Sequence, residues 1–311
     1  MTAQYNDIAN KQPIFAALGV FDGVHIGHRA IIKKVQQEAA ARRLSSAVIS
    51  FRAHPQKVLH PQAQFLMLSS PEERAELLRQ TGIDYTFFLD FSLEMSLLSA
   101  YDFLQILASR FHVKGLVIGY DHRFGHNRAE GFEDYVGYGQ KLGIEIVHAD
   151  ELVSEIGPVS SSIIRKLLLQ GDITTANRLL SYPYTLHGKV VDGFKIGRKM
   201  DFPTANIEID YPDKLVPANG VYAVRIDLED GHQYNGMLNI GHRPTLNRPN
   251  DYCIETNIFD FSGNLYGKKL SVELIEYLRP EKKFTDTTAL RAQLVADEEN
   301  ARRMLSDRPK L

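Results

Sequence analysis

A change of hydrophobic pattern near Ser181-Tyr182-Pro183-Tyr184 divides this chain into two halves that call for different sheets. Before it, strand-like and helix-like segments alternate, which predicts a parallel sheet covered by helices on both faces, a doubly wound α/β domain. The predicted strands are Ile14–Phe21, Ala47–Phe51, Tyr85–Leu89, Gly115–Ile118 and Ile144–Val147. Helical spacing falls on Pro71–Gln80, Ala100–Arg110 and Gly131–Leu142, followed by two short helices at Ser161–Leu169 and Ile173–Leu180. After the change, turn residues punctuate closely spaced alternating runs such as Val221–Leu228, Ile254–Phe259 and Leu270–Leu278, the pattern of an antiparallel barrel or sandwich. A last helix is predicted over Thr287–Leu305, with Leu290, Leu294 and Ala301 on one face. The 311 residues suffice for two domains, with boundaries predicted at 1–181 and 182–311.

Composition narrows the partners. Hydrophobic residues at 44% with 24% charged residues describe a water-soluble globular chain. The net charge of −2 provides no global basic field, so nucleic acid is not an expected partner and any polyanion site must be local. Met1 to Pro13 lacks the layout of a signal peptide, and no apolar run approaches the ~20 residues needed to span a bilayer. A cytoplasmic location without membrane contact is expected. The single cysteine, Cys253, excludes an internal disulfide and reads as a small buried apolar residue. Nothing in the sequence signals an oligomeric state.

The richest stretch is Gly19-Val20-Phe21-Asp22-Gly23-Val24-His25-Ile26-Gly27-His28, lying between a predicted strand and a helix whose apolar positions are Ile31, Ile32, Val35 and Ala39. A strand-to-helix turn offers free backbone N–H groups and the positive end of a helix, both attractive to phosphate. Gly23 and Gly27 allow close approach of a ligand, and His25 and His28 can donate to phosphate oxygens. A pair of capping or core histidines is the plainer alternative. Two further segments end predicted strands, Ser50-Phe51-Arg52-Ala53-His54-Pro55 and Ile118-Gly119-Tyr120-Asp121-His122-Arg123-Phe124-Gly125. Ligands of open α/β sheets bind beyond the carboxyl ends of strands, which makes Arg52 and Arg123 phosphate candidates, although each alone also reads as a solvated loop charge. Ser160, Ser161 and Ser162 precede a helix, and Arg165 lies one turn on; together they offer more than a simple cap requires.

In the second half, the run from Gly188 to Asn206 joins a glycine-bearing basic loop to a rigid turn, Phe202-Pro203-Thr204-Ala205-Asn206. Gly193 and Gly197 let backbone amides approach phosphate, while Lys195, Arg198 and Lys199 supply charge. Thr204 and Asn206 offer hard oxygens for magnesium. An ordinary basic β-turn has the same composition.

The first of these stretches resembles the HxGH signature of nucleotidyltransferases, and its longer form resembles the opening of bacterial bifunctional riboflavin kinase/FMN adenylyltransferases. The later segments are similar to that family's TFxPHP, VVGxDFRFG and SSTxIR motifs. Phe-Pro-Thr-Ala-Asn resembles its riboflavin kinase hallmark, Asn239 to Thr245 its NIGxRPT segment, and Leu278 to Phe284 its LRxExKF segment. The resemblance implies a Rossmann-like nucleotidyltransferase domain followed by an antiparallel β-barrel riboflavin kinase domain with a C-terminal helix. It implies that His25, His28, Ser161, Ser162 and Arg165 hold the ATP triphosphate, with Gly19, Phe21, Asp22, Gly23 and Gly27 shaping that site. Arg52, His54, Pro55, Asp121, Arg123 and Phe124 would face the flavin in the first domain, and Arg243, Glu281 and Phe284 in the second. Gly193, Lys195, Gly197, Arg198, Thr204 and Asn206 would hold the second ATP, with Mg2+ on Thr204 and Asn206. Glu255 would be the base that takes the ribityl hydroxyl proton. Riboflavin, FMN, FAD and ATP are the implied partners. Val20, Arg52-Ala53, His122, Ser162 and Asp201 depart from the family pattern. A cytidylyltransferase or pantetheine-phosphate type adenylyltransferase would account for the first half alone. A flavin-binding module without chemistry is the non-enzymatic alternative.

Overall fold

The structure is a computed structural model that describes residues 12–119, 123–126, 130–193, 202–242 and 252–306, with the backbone of 2–3. It divides into two compact units, Met1–Ser161 and Ser162–Leu311.

The first unit is built on a parallel sheet of β1 (Thr2–Ala3), β2 (Ile14–Leu18), β3 (Ser45–Phe51), β4 (Tyr85–Leu89), β5 (Val113–Ile118) and β6 (Glu145–His148), in the order β1-β4-β3-β2-β5-β6. Every residue of β2 is buried, as expected of a central strand covered on both faces. The two-residue period of a strand sends its side chains alternately into two cores. Ile14, Ala16 and Leu18 join Phe103, Leu104 and Leu107 on one face, while Phe15 and Ala17 join Ile32, Val35 and Leu78 on the other. The covering helices are α1 (Ile26–Ala41), α2 (Pro55–Leu59), α3 (Pro71–Arg79), α4 (Leu93–Ser96), α5 (Ala100–Arg110) and α6 (Phe132–Leu142). A hairpin of β7 (Val153–Ser154) and β8 (Gly157–Pro158) follows.

Strand order reverses at β2, whose neighbours are β3 and β5. That switch point opens a crevice at the carboxyl end of β2, where the two-histidine turn begins. β2 stops at Leu18 rather than running to Phe21, because Phe21 adopts a left-handed φ of 54° that ends the extended chain.

The second unit takes up α7 (Ser161–Leu169) from its second residue, then α8 (Ile173–Leu180), and continues into β9 (Tyr184–Val191), β10 (Ala205–Ile209), β11 (Gly220–Leu228), β12 (Gln233–His242), β13 (Tyr252–Ile258) and β14 (Lys269–Arg279). These strands close an antiparallel barrel in the order β10-β13-β12-β11-β14-β9. Of the two arrangements the pattern allowed, the closed one is found. Helix α9 (Thr287–Ser306) buries Ala301 and Leu305 against Phe202, Val221, Ala223, Met237 and Ile275. Its buried Asp297 is held by Arg279 at 2.7 Å.

The units divide twenty residues earlier than the change of pattern at 181/182, between Ser161 and Ser162. The reason lies in α8. Asn177 donates its side-chain amide to the Leu274 carbonyl at 2.8 Å and accepts from the Tyr184 N–H at 2.7 Å. The Leu168 carbonyl of α7 accepts from Ala218 at 3.0 Å. Helical spacing identifies a helix but not the core it joins. A fragment Tyr182–Leu311 is therefore expected to melt at least about 10 °C below Ser162–Leu311, since stripping Ile173, Leu179 and Leu180 off the barrel removes several kcal/mol. Thermal unfolding followed by circular dichroism checks this; equal midpoints would support a folding boundary at 181/182.

Candidate active sites

The turn after β2 is tightly braced. His25 is the N-cap of α1, its Nδ1 accepting the His28 backbone N–H at 3.3 Å. An imidazole nitrogen that accepts carries no proton, so His25 presents its N–H at Nε2. Its ring stacks on that of His28, centroids 3.6 Å apart and planes 17° from parallel. Burial holds the His28 imidazole well below its ordinary value of 6.5, assisted by the neighbouring His25 and by the Arg74 guanidinium. At neutral pH His28 is uncharged. The cap engages the Nδ1 edge of the His25 ring, so capping and a phosphate role at the Nε2 edge do not compete for the same atom. Gly27 lies close under that ring, where a Cβ would stand 3.2 Å from it and press on it.

Asp22 is buried, and its carboxylate accepts from the backbone N–H groups of Leu68 and Ser69, each at 3.0 Å. Ser69 Oγ donates to Asp22 at 3.1 Å and accepts the Gly23 N–H at 3.0 Å. Ser161 Oγ donates to the Asp22 carbonyl at 3.0 Å. Asp22 thus shapes the turn with its charge already committed to backbone amides.

Beside the turn lies a cavity of about 430 Å³ whose lining includes Gly19, Val20, Phe51, His54, Pro55, Phe91, Met95, Leu98, Arg123, Phe124 and His126. His54 caps α2 by accepting the Gln56 N–H at 3.1 Å, and its ring stacks on Phe65 at 4.0 Å. Phe124 is fixed by stacking on Tyr135 at 4.3 Å. An apolar chamber with a few polar groups at its rim suits a flat aromatic ligand. Arg52 is outside this lining and pairs with Asp90 at 3.4 Å.

In the barrel, Asn206 of β10 sits opposite Glu255 of β13 in register. The Glu255 carboxylate accepts from Thr204 Oγ1 at 3.2 Å and from Cys253 Sγ at 3.2 Å. A second cavity, about 300 Å³, is lined by Pro203, Thr204, Ala205, Thr256, Phe261, Leu265 and Tyr266 among others. Glu281 lies over Gly241, where a Cβ would overlap its carboxylate. Phe284 has the Lys282 ammonium 5.8 Å and the Arg279 guanidinium 5.9 Å from its ring centre.

A family model described as FAD synthetase matches residues 7–163, and one described as riboflavin kinase matches residues 180–305. A curated protein of Listeria monocytogenes named bifunctional riboflavin kinase/FMN adenylyltransferase is 36% identical over 97% of this chain and 94% of its own length. The chain belongs to that family. Bifunctional riboflavin kinase/FMN adenylyltransferases of Bacillus subtilis, 34% identical over 94% of this chain and 92% of theirs, and of Escherichia coli K12, 32% identical over 94% and 93%, lie close by. A crystal structure described as a macrolide-efflux protein from Streptococcus pneumoniae superposes with a TM-score of 0.89 at 31% identity, covering 97% of this chain and 98% of that one. That description stays with that protein. Among the described residues no helix is long and apolar enough to cross a membrane. As in other bifunctional riboflavin kinase/FMN adenylyltransferases, the FAD synthetase and riboflavin kinase parts take ATP as co-substrate.

Within this family framework, the structure brings His25, His28 and Ser161 to one turn, and His54, Pro55, Arg123 and Phe124 to one cavity. Ser162 and Arg165 are on α7, counted with the second unit. Asp121, Lys195, Gly197, Arg198 and Arg243 lie outside the described residues. Sequence reasoning missed Phe91, Met95, Leu98 and His126 as cavity residues, since single side chains in loops and in a one-turn helix carry no periodic signal. It also misread Cys253, which is half-buried with its thiol on Glu255 rather than packed in the core. Alternation along β13 places residues 253 and 255 on one face, the signal that could have found it.

Gly193 is required by a neighbour: a Cβ there would overlap the Asn206 carboxamide. Gly193→Ala is expected to displace Asn206 and lower riboflavin phosphorylation by about 10- to 100-fold, the scale of a misplaced site group. Steady-state FMN production measures it, with FAD formation from supplied FMN as the unchanged control; full kinase activity would remove Asn206 from the site.

Proposed function

We propose that the histidine turn and the adjoining cavity form the adenylylation site, and that Thr204, Asn206 and Glu255 form the kinase site. The observation carrying the first assignment is the stacked pair of imidazoles, His28 held neutral by burial, at the carboxyl end of the central strand, beside an apolar chamber sized for a flavin. ATP lays its phosphates along the turn, FMN places its ring system in the chamber against Phe124 and His54, and Arg123 meets its phosphate. An FMN phosphate oxygen attacks the α-phosphorus of ATP, a P–O bond forms, and pyrophosphate leaves. No protein nucleophile takes part. His25 Nε2–H and the His28 ring donate to oxygens on which negative charge grows, a role that needs fixed donors rather than titrating groups.

In the barrel, Glu255 accepts the proton of the ribityl hydroxyl as its oxygen attacks the γ-phosphorus, and ADP leaves. The Thr204 hydroxyl and the Cys253 thiol hold the carboxylate in place for that transfer. Thr204 and Asn206 are hard oxygen donors beside a carboxylate, a set that fits Mg2+ carried in on ATP. Such an ion would neutralise phosphate charge. The reactions take place in the cytoplasm, without nucleic acid or membrane. Incubation with riboflavin and magnesium-ATP, followed by chromatography, should give FMN first and then FAD. Formation of neither sinks the reading, and FMN alone sinks its first half.

A further inference from the structure

The side chain of Arg74 on α3 is fully buried, with 0% exposure. A buried guanidinium carries a heavy desolvation penalty and persists where its hydrogen bonds hold something in place. Its Nη2 donates to the carbonyls of Phe51 at 2.6 Å and Arg52 at 2.9 Å. The guanidinium carbon lies 5.4 Å from the centre of the Phe88 ring, adding a cation–π contact. Phe51 ends β3, and the two residues lead directly into the segment whose His54 and Pro55 line the cavity.

The same stretch of chain is tied at its other end to the histidine turn. Leu68 and Ser69 hold Asp22, and Ser69 Oγ takes the Gly23 N–H. Ser70 then caps α3 through a capping box with Glu73, fixing the helix that carries Arg74 one turn later. Seven residues, Leu68 to Arg74, thus join the loop that seats one substrate to the turn that seats the other.

We propose that Arg74 is a positioning residue for FAD formation, locking the β3 loop to the braced histidine turn so that FMN and ATP meet at a fixed separation. The proposal rests on the adenylylation site described above. The Arg74 charge is also felt at His28, where with burial and His25 it keeps the imidazole neutral; these are the groups that act on that ring.

The test uses the full-length enzyme with Arg74→Met, which keeps the stem and removes the charge and donors, and Arg74→Lys, which keeps the charge. Arg74→Met should lower kcat for FMN adenylylation by about 10- to 100-fold, with KM for ATP and FMN changing by less than about 3-fold. Arg74→Lys should restore most of that loss. Riboflavin phosphorylation should match the parent in both, and the His28 ring, followed by NMR, should ionise at higher pH in Arg74→Met only. Parent kcat in Arg74→Met overturns the proposal, as does an equal loss in both variants accompanied by rising KM. Should Arg74→Met fail to fold, Ser69→Ala loosens the same brace at its other end by removing the Oγ bonds to Asp22 and Gly23 while the backbone amides stay; it is expected to lower kcat several-fold at constant KM, and an unchanged kcat there overturns the proposal equally. Failure of the site reading would look different: His28→Ala would then leave FAD formation intact.

Discussion

Glu255→Gln is expected to reduce riboflavin phosphorylation by about 10²–10⁴ while leaving adenylylation of supplied FMN unchanged. The substitution preserves size and lets the side-chain oxygen go on accepting from Thr204 or Cys253. It removes only the capacity to take a proton. The loss should therefore appear in kcat far more than in KM for riboflavin, because the carboxamide still fills the same space. Rates of FMN production under saturating ATP decide the matter. Parent turnover in this variant would move the base to another carboxylate and leave Glu255 as a strand residue that orders Thr204.

His28→Ala should lower FAD formation by about 10²–10³, the scale of one lost transition-state donor, with FMN formation from riboflavin untouched. Truncation also unstacks His25 at 3.6 Å and opens space beside Phe21, so thermal unfolding of the variant belongs with the assay. The ionisation of His28 adds a signature. Its folded-state value is depressed below 6.5 by burial first, so the unfolded chain binds the proton more readily than the folded one. Stability from this group is complete above pH 6.5 and declines as the pH falls from there toward the folded value. The parent should show that decline, and His28→Ala should show less of it. A variant that is folded, active and equally acid-sensitive would take the turn out of the chemistry.

Much of the architecture was legible because both patterns are strongly periodic. Ala100–Arg110, Ser161–Leu169 and Ile173–Leu180 fall where helical spacing puts them, and Tyr85–Leu89 is the strand it reads as. Long-range partnership was not legible. Asn177 reaches across 97 residues to Leu274, and nothing in the sequence around α8 names the barrel as its core. The same holds for the sites. His25 and Glu255 stand in recognisable motifs, whereas Ser69, Arg74 and Cys253 act through neighbours that only folding brings close. Asp22 illustrates a third case, a motif residue whose charge serves the backbone beneath the site.

His25 begins a helix with one edge of its ring, and in the proposed adenylylation site the other edge meets phosphate. That double duty narrows the substitutions open to this lineage. Serine, aspartate or asparagine would start α1 equally well, but none carries a second, aromatic donor edge stacked on a neighbour. Lysine or arginine would offer donors but could not accept the His28 N–H. A library randomised at codon 25 should therefore return histidine even where selection is relaxed to folding plus weak FAD synthesis.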